Sequence, residues 1–240
     1  MRREDPVAVT LVAAIRGGDL EALSRLLSDH PGLAAERLED DKGSGTALHA
    51  AADWPGFFPH GAEVVRLLIA AGADPDAPVS GSWHQETALH WAASSDDADV
   101  AAALIEGGAN LEIRGGSIAG GTPLCNAVGY GCWQVAQLLV DRGARPDQLW
   151  QAAAMGLMAE VEHLMAADPP PSGDDIRHAF WQACRGGQKR AAAFLLGQGA
   201  DPQWSPDHAR GQKAWEAARG PSTRWDILLS WLKEQGIGDP

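Results

Sequence analysis

The chain is 240 residues long and carries 19 Lys and Arg against 32 Asp and Glu, which gives a formal net charge of −13 at pH 7. This acidic balance argues against nucleic acid as a partner, because phosphate contacts need a basic stripe, and against an anionic membrane surface. No uninterrupted apolar run is long enough to cross a bilayer, and the opening MRREDPVAVT is not a clean apolar signal region. We therefore expect a cytoplasmic protein.

The cysteines and histidines show no pattern typical of a metal or cofactor site. Cys125, Cys132 and Cys184 are odd in number and form no C-x-x-C pair, which favours reduced thiols in a cytoplasmic setting. No two possible ligands stand at a recognised metal-binding spacing. The Gly-rich stretch 114–121 lacks the G-K-[ST] ending of a phosphate loop. We expect neither a bound metal nor a cofactor.

The first predicted elements are two helices within residues 7–29. Leu11, Ala14 and Ile15 stand at helical spacing before the Gly17–Gly18 break, and a second apolar stripe follows at Leu23, Leu26 and Leu27. The stretch predicts one helix pair at the start of the chain.

From Thr46 onward, one pattern recurs along the chain. The words TALHAA, TALHWA and TPLCNA begin at Thr46, Thr87 and Thr122, at separations of 41 and 35 residues. Each word is followed by an apolar helical stripe and a closing Gly-Ala, at Gly72, Gly108 and Gly143. This pattern resembles the ankyrin repeat, whose signature is T-P-L-H-x-A at a period of about 33 residues.

The resemblance implies an all-α solenoid of about seven helix-turn-helix repeats with short β-hairpin fingers. It implies one domain over residues 1–240, with an N-terminal capping repeat at 1–40, central repeats at 41–202 and a C-terminal capping repeat at 203–240. Because a terminal repeat has a neighbour on one side only, we expect Trp225 and Trp231 to cover the end of the core. In the family pattern, His49 and His90 would hydrogen-bond between repeats.

Repeat two departs from the family pattern by an insertion between Asp53 and Glu63. Pro55 ends the first helix, and a loop with Phe57 and Phe58 follows. Exposed Phe pairs are unfavourable in water, so the loop is expected to fold back on the protein. Two interpretations stay open: the loop packs on the flank of its own repeat, or it forms a wall or lid at one end of the concave groove.

The resemblance also implies where a binding surface lies. In ankyrin arrays, the residues after the second Ala of the motif point toward the concave face, and the finger residues before the Thr often touch ligand. In repeats five and six the equivalent positions, Ala154–Met155 and Arg185–Gly186, offer little for binding. The predicted ligand-binding residues are Trp54, Trp83, Trp91, Ser94, Ser95, Tyr130 and Trp133, with Phe57 and Phe58 from the insertion. The other interpretation of these tryptophans is that they fill the core between repeats.

Two functions stay open on the sequence alone. The first, which the resemblance implies, is a binding module that recognises a protein or peptide through its concave face and fingers. The second is a small-molecule binding protein or an enzyme whose aromatic walls hold an apolar or cationic ligand. If it is an enzyme, the catalytic residues would be His84 as general base, with Asp53 and Glu86 beside it. The sequence names no reaction, and it gives no signal for the oligomeric state.

Overall fold

The computed structural model describes residues 1–41, 43–81 and 84–238. Contacts divide the chain into two compact units, Met1–Arg145 and Pro146–Pro240. Within the described residues each unit consists of helix pairs, four in the first unit and three in the second. The predicted all-α fold of seven helix pairs is therefore confirmed, whereas the single-domain organisation stays a prediction.

The first unit places its helices in two layers. The first helices of successive pairs pack on one another, and so do the second helices. Each pair thus buries its apolar stripes against the pairs before and after it, as repeat proteins do. The helices are α1 (Pro6–Gly17), α2 (Leu20–Asp29), α3 (Ala47–Ala52), α4 (Gly61–Ala70), α5 (Ala88–Ser95), α6 (Ala98–Glu106), α7 (Pro123–Tyr130) and α8 (Trp133–Asp141).

A short hairpin precedes α3. Strands β1 (Arg37–Asp40) and β2 (Gly43–Thr46) pair antiparallel, with Arg37 opposite Thr46. The Ser44 backbone also exchanges hydrogen bonds of 2.9 Å with Ser80 of the following finger. This hairpin is the one finger of the described residues that forms a two-stranded ladder.

Threonine begins three of the first helices, because its side chain and backbone satisfy groups that the first turn leaves without partners. In α3 the Thr46 backbone N–H donates to His49 Nδ1 at 3.2 Å. Since Nδ1 accepts, the ring proton is on Nε2, which donates to the Glu86 carbonyl oxygen at 3.1 Å. His90 makes the same contacts with Thr87 and with the Gly121 carbonyl. Both histidines therefore link neighbouring repeats, as the family pattern implied.

Because these two imidazoles are buried in their neutral form, the protein should lose stability in mild acid. Burial lowers the pKa of His49 from 6.5 to about 4, and it also lowers the pKa of His90. Between pH 6.5 and about pH 4, the two pKa values of His49, the unfolded chain binds more protons than the folded chain. The free energy of unfolding therefore falls as the pH falls. We expect a loss of about 2 kcal/mol from His49 alone between pH 7 and pH 5.

Urea unfolding at the two pH values measures this loss. In the variant His49→Gln, the free energy of unfolding should differ less between pH 7 and pH 5 than in the wild type. Replacing the exposed His30 with Gln should leave this difference in unfolding free energy unchanged. Equal pH dependence in the wild type and His49→Gln would contradict the argument.

The helix ends follow from the glycines of the closing Gly-Ala. Gly72, Gly108, Gly143 and Gly199 have φ values of 97°, 96°, 96° and 90°. This left-handed region suits glycine, because other residues meet a steric penalty there. The recurring Gly therefore marks the end of four of the seven second helices, and its regular spacing reflects the length of one repeat.

The insertion of repeat two occupies residues 53–60 and packs on both neighbouring helix pairs. Gly56 lies against Ser95, and the Phe57 backbone N–H donates to the Asp97 carboxylate at 2.6 Å. On the other side, the Pro59 carbonyl lies so close to Gly18 that no side chain fits there. The loop thus contacts the turn between α1 and α2 and the turn between α5 and α6. Neither interpretation from the sequence, its own flank or a lid, anticipated these two contacts.

The second unit repeats the layered arrangement. Here α11 packs on α9 and α13, and α12 packs on α10 and α14. The helices are α9 (Leu149–Met155), α10 (Met158–Met165), α11 (Gly173–Arg185), α12 (Lys189–Gly197), α13 (Ala214–Ala217) and α14 (Thr223–Glu234).

The core of the second unit extends to the last helix. Trp225, Leu228 and Leu232 of α14 are buried in one cluster with the side chains of α11 and α12. The Trp225 indole N–H donates to the Arg185 carbonyl at 3.0 Å, which leaves its polar atom satisfied. Trp231 is only half-buried. Of the two tryptophans expected to cover this core, Trp225 is the buried one.

Candidate functional site

A cavity of about 270 Å³ lies where the first helices of three consecutive pairs meet the finger residues. We call it the Trp54 cavity. Nine residues line this cavity. Six of them belong to α3, α5 or α7 or directly follow α3, because the last turns of these helices stand side by side. The lining residues are Ala52, Asp53, Trp54, Glu86, Trp91, Ser94, Ser95, Ser117 and Tyr130.

The structure thus brings together most of the residues that the sequence predicted for a binding surface. Trp54, Trp91 and Tyr130 supply aromatic surface, and Asp53 and Glu86 supply carboxylates. The side chain of Trp54 is 77% exposed and that of Tyr130 is 49% exposed. These two are the aromatic side chains of the lining that are most open to solvent.

Trp91 is held more firmly than the other two aromatic residues. It is half-buried, and its indole meets the His49 ring edge-on, with a centroid distance of 4.9 Å and an interplanar angle of 80°. Because His49 is itself fixed between Thr46 and Glu86, the orientation of Trp91 is set by the bonds between repeats. One face of Trp91 therefore serves packing, as the second interpretation of the tryptophans held, while its remaining surface lines the cavity.

Glu86 is one of the two carboxylates that line the Trp54 cavity, together with Asp53. Its Oε1 accepts two hydrogen bonds of 2.8 Å, from the Ser117 backbone N–H and from Asn126 Nδ2. Burial by itself would raise the pKa of Glu86, but these hydrogen bonds outweigh it and hold that pKa below its usual value. The carboxylate is consequently ionised at neutral pH.

Sequence reasoning missed Asn126 and Ser117. Asn126 is fully buried; its Nδ2 also lies 3.2 Å from the hydroxyls of Ser94 and Ser117, and its Oδ1 accepts from the Ile118 backbone N–H at 3.2 Å. The available signal was a polar residue inside an otherwise apolar helix, in TPLCNAV, because a buried amide needs partners. This network fixes Glu86 and the Gly-rich finger together.

Replacing Asn126 with alanine should raise the pKa of Glu86 and weaken the fold. The substitution leaves a half-buried carboxylate with one donor fewer, which costs about 2 kcal/mol of unfolding free energy. A carbon-13 NMR titration of the Glu86 carboxyl carbon and a urea denaturation curve measure the two effects. As a control, the exposed Gln137→Ala should change neither quantity, and an unchanged Glu86 titration in Asn126→Ala would refute this account of the network.

Asp53 differs from Glu86 because a cation already neutralises it. Its carboxylate forms an ion pair with Arg16 of α1, and it also accepts from the Trp54 backbone N–H at 2.9 Å. The Arg16 guanidinium carbon lies 5.7 Å from the centre of the Phe58 ring. Asp53 is therefore engaged in holding the start of the insertion against α1.

Ser94 and Ser95 have their hydroxyl protons committed to their own helix. Ser94 donates to the His90 carbonyl at 2.9 Å, and Ser95 donates to the Trp91 carbonyl at 3.1 Å. The oxygen of Ser94 still accepts from Asn126. These serines offer acceptor oxygens to the cavity rather than reactive hydroxyl groups, because no base contacts them among the described residues.

Several predicted site residues lie elsewhere. Phe57 and Phe58 line a different cavity of about 510 Å³ with the first residues of α4 and α6. Trp133 is the first residue of α8 and is absent from the described lining of the Trp54 cavity. His84 is half-buried in the finger and is also absent from that lining. Trp83 lies outside the described residues.

The arrangement of helix pairs agrees with comparisons to known proteins. A family model described as ankyrin repeats, in three copies, matches residues 60–148. The chain is also similar to the solved ankyrin repeat domain of Bcl-3, a member of the IkappaB family, with 27% identity and a TM-score of 0.54 over 92% of this chain and 97% of that one. The chain contains ankyrin repeats.

Two further relatives share the repeats at lower similarity or over shorter stretches. The human ASB11 ankyrin repeat domain has the same fold, with a TM-score of 0.52 and 20% identity over 96% of this chain and 98% of that one. An E3 ubiquitin-protein ligase, KEG of Arabidopsis thaliana, is 35% identical over 84 residues, which are 35% of this chain and 5% of that protein. Ankyrin repeat domains generally mediate binding between proteins.

The described residues also bear on two other kinds of site, a metal site and a membrane span. Within residues 1–41, 43–81 and 84–238, no three His, Cys, Asp or Glu side chains are grouped so that they could hold a metal ion. Over the same part of the chain, no helix has both the length and the apolar character needed to cross a bilayer.

Ankyrin repeats five and six carry an aromatic cluster that the sequence analysis did not anticipate. The His178 ring stacks on Trp150 at a centroid distance of 5.5 Å and lies 6.0 Å from Trp204 and from His208. Burial, together with the nearby His208, lowers the pKa of His178 to about 4, so this ring is neutral. The positions predicted to face a ligand are at the ends of α9 and α11, whereas Trp150 and His178 stand earlier in those helices. The rings are mainly packed on one another.

Proposed function

We propose that this ankyrin repeat protein binds a protein partner at the Trp54 cavity. The observation that carries the proposal is that two well-exposed aromatic side chains, Trp54 and Tyr130, line a cavity together with an ionised carboxylate, Glu86. Aromatic residues dominate the energetically important centres of protein interfaces, because they bury a large area at small entropic cost.

The size of the cavity favours a side chain of a partner over a whole small molecule. Its volume of about 270 Å³ is below the range of about 300–1,000 Å³ that is usual for small-molecule sites. A single protruding side chain fits such a space, while the rest of the partner covers the exposed faces of Trp54 and Tyr130.

The positions of the acidic and basic groups support binding rather than acid–base catalysis. A general base must lie within hydrogen-bond reach of the proton that it removes. Asp53 is paired with Arg16, Glu86 is hydrogen-bonded to Ser117 and Asn126, and His84 is not among the described residues that line the cavity.

Selection from a phage-displayed library of random peptides tests the proposal. In separate proteins, Tyr130 and the exposed Ile227 of α14 would each be replaced by a photo-cross-linking benzoyl-phenylalanine. We expect the selected peptides to cross-link at position 130 and not at position 227. Peptides that cross-link equally at both positions, or only at 227, would overturn the assignment of the binding surface to the Trp54 cavity.

A further inference from the structure

We infer that the Trp54 cavity recognises an alkylammonium group, namely the side chain of a lysine, free or partly N-methylated, on the protein partner. The inference rests on the proposed function and specifies which residue of the partner enters the cavity. It follows from the charge of the lining, from the hydrogen bonds of Glu86 and from the aromatic walls.

The lining of the cavity carries one uncompensated negative charge among the described residues. Asp53 is neutralised by Arg16 in an ion pair. Glu86 is held by neutral donors only, the Ser117 backbone N–H and the Asn126 amide, so its charge is not cancelled. Arg3 lines a neighbouring cavity that shares Glu86 and Trp91, but it is paired with Asp40 at 3.3 Å. A cation in the Trp54 cavity would therefore meet a net negative potential.

The hydrogen bonds of Glu86 select the kind of cation. The Ser117 backbone N–H and Asn126 Nδ2 both donate to Oε1 at 2.8 Å, and the Ser117 hydroxyl also interacts with the carboxylate. Neither of the two 2.8 Å hydrogen bonds engages Oε2, which is therefore the oxygen more open to a ligand. An arginine binds a carboxylate best through two parallel hydrogen bonds, which require both oxygens. A lysine ammonium is a compact charge that needs a single acceptor. Glu86 is thus suited to an ammonium group that keeps at least one N–H.

The aromatic walls complete the recognition. A cation within about 6 Å of a Trp or Tyr ring is attracted by the negative face of that ring, and Trp is the strongest partner. Trp54 and Tyr130 are largely exposed and line the same cavity as Glu86. The aliphatic stem of a lysine would pack against these rings, while its ammonium reaches Glu86.

Two small probes test the recognition of charge without any peptide. The n-butylammonium ion and n-butanol have the same number of non-hydrogen atoms and differ in charge. Binding would be followed by NMR through the Trp54 indole N–H signal, which the variant Trp54→Phe identifies. We expect n-butylammonium to bind at least tenfold more tightly than n-butanol. Equal binding of the two probes would overturn the inference.

Two carboxylate variants of equal net charge locate the effect. In Glu86→Gln, the amide oxygen can still accept from Ser117 and Asn126, so the cavity is preserved while its charge is removed. We expect this variant to lose the tenfold preference and the variant Asp99→Asn, at an exposed carboxylate outside the Trp54 cavity, to keep it. An unchanged preference in Glu86→Gln would refute the role of Glu86.

Peptides from the phage selection separate a partner lysine from a free ammonium compound. Each lysine of a selected peptide would be replaced by norleucine, which keeps the aliphatic stem and removes the charge. We expect one replacement to weaken binding at least tenfold. If peptides cross-link at position 130 but no lysine matters, the lysine inference fails while the binding surface stands. If n-butylammonium binds as tightly as the whole peptide, the ligand is a free amine and the partner lysine is refuted.

Discussion

Replacing Trp54 with alanine should lower the affinity for a peptide bound at the Trp54 cavity about thirtyfold or more, since losing a central aromatic anchor costs about 2 kcal/mol or more. The side chain is 77% exposed, so its removal leaves the core intact. Substitutions at such surface positions change the unfolding free energy by only about 0.5 kcal/mol. Isothermal titration calorimetry with a selected peptide measures the affinity, and thermal unfolding measures the stability.

A matched control lies three residues further along the same loop. Phe57 is 64% exposed but lines the other cavity, so Phe57→Ala should leave peptide affinity unchanged. Arg185→Ala in the second unit should likewise have little effect. If Trp54→Ala and Phe57→Ala weakened binding equally, the loop as a whole and not the Trp54 cavity would be responsible. The sequence also predicts a loss of binding in Trp83→Ala, and that prediction rests on sequence alone.

Deleting residues 203–240 should expose the core of the second unit, lower solubility and lower the melting temperature by many degrees. The deletion removes α13 and α14, whose Trp225, Leu228 and Leu232 are buried against α11 and α12. Each large apolar side chain contributes about 1.5–3 kcal/mol when it is fully buried, so the three together account for several kcal/mol. Circular dichroism during heating measures the melting temperature, and a truncated protein that melts with the full chain would refute a C-terminal capping role.

Two adjacent leucines of α14 provide a milder form of this test. Leu228 is fully buried, and its replacement by alanine should cost about 2–5 kcal/mol. Leu229 is 37% exposed, so Leu229→Ala should cost much less. Comparable losses of unfolding free energy in the two variants would mean that α14 does not pack on the core through the face that carries Leu228.

The fold was predictable because its signals are local. Thr46, Thr87 and Thr122 precede helices that begin one residue later, and each closing glycine takes the left-handed conformation that ends a helix. These signals need only a few neighbouring residues. Part of the candidate site followed from the same register, because Asp53, Trp54, Ser94, Ser95 and Tyr130 occupy equivalent positions in successive repeats and Glu86 directly precedes the motif at Thr87.

The parts that were not predicted depend on contacts between distant residues. The hydrogen bond from Asn126 to Glu86 spans 40 residues, and no local pattern announces it. The sequence predicted Trp133 as a ligand-binding residue. However, Gly131 ends α7, so Trp133 belongs to α8, the second helix of its pair. The sequence did not determine the path of the insertion, because this path depends on contacts with Gly18 and Asp97, which belong to the neighbouring repeats.

The contacts of the insertion have a consequence for how the first unit opens. In repeat proteins each repeat contacts only its neighbours, and segments can unfold one after another from an end. Here residues 53–60 also join the turns of the first and third helix pairs through Gly18, Ser95 and Asp97. Fraying of the first pair must therefore disturb the insertion and the third pair as well. Amide hydrogen exchange should show α1, α3 and α5 opening as one cooperative unit, with shared protection against exchange.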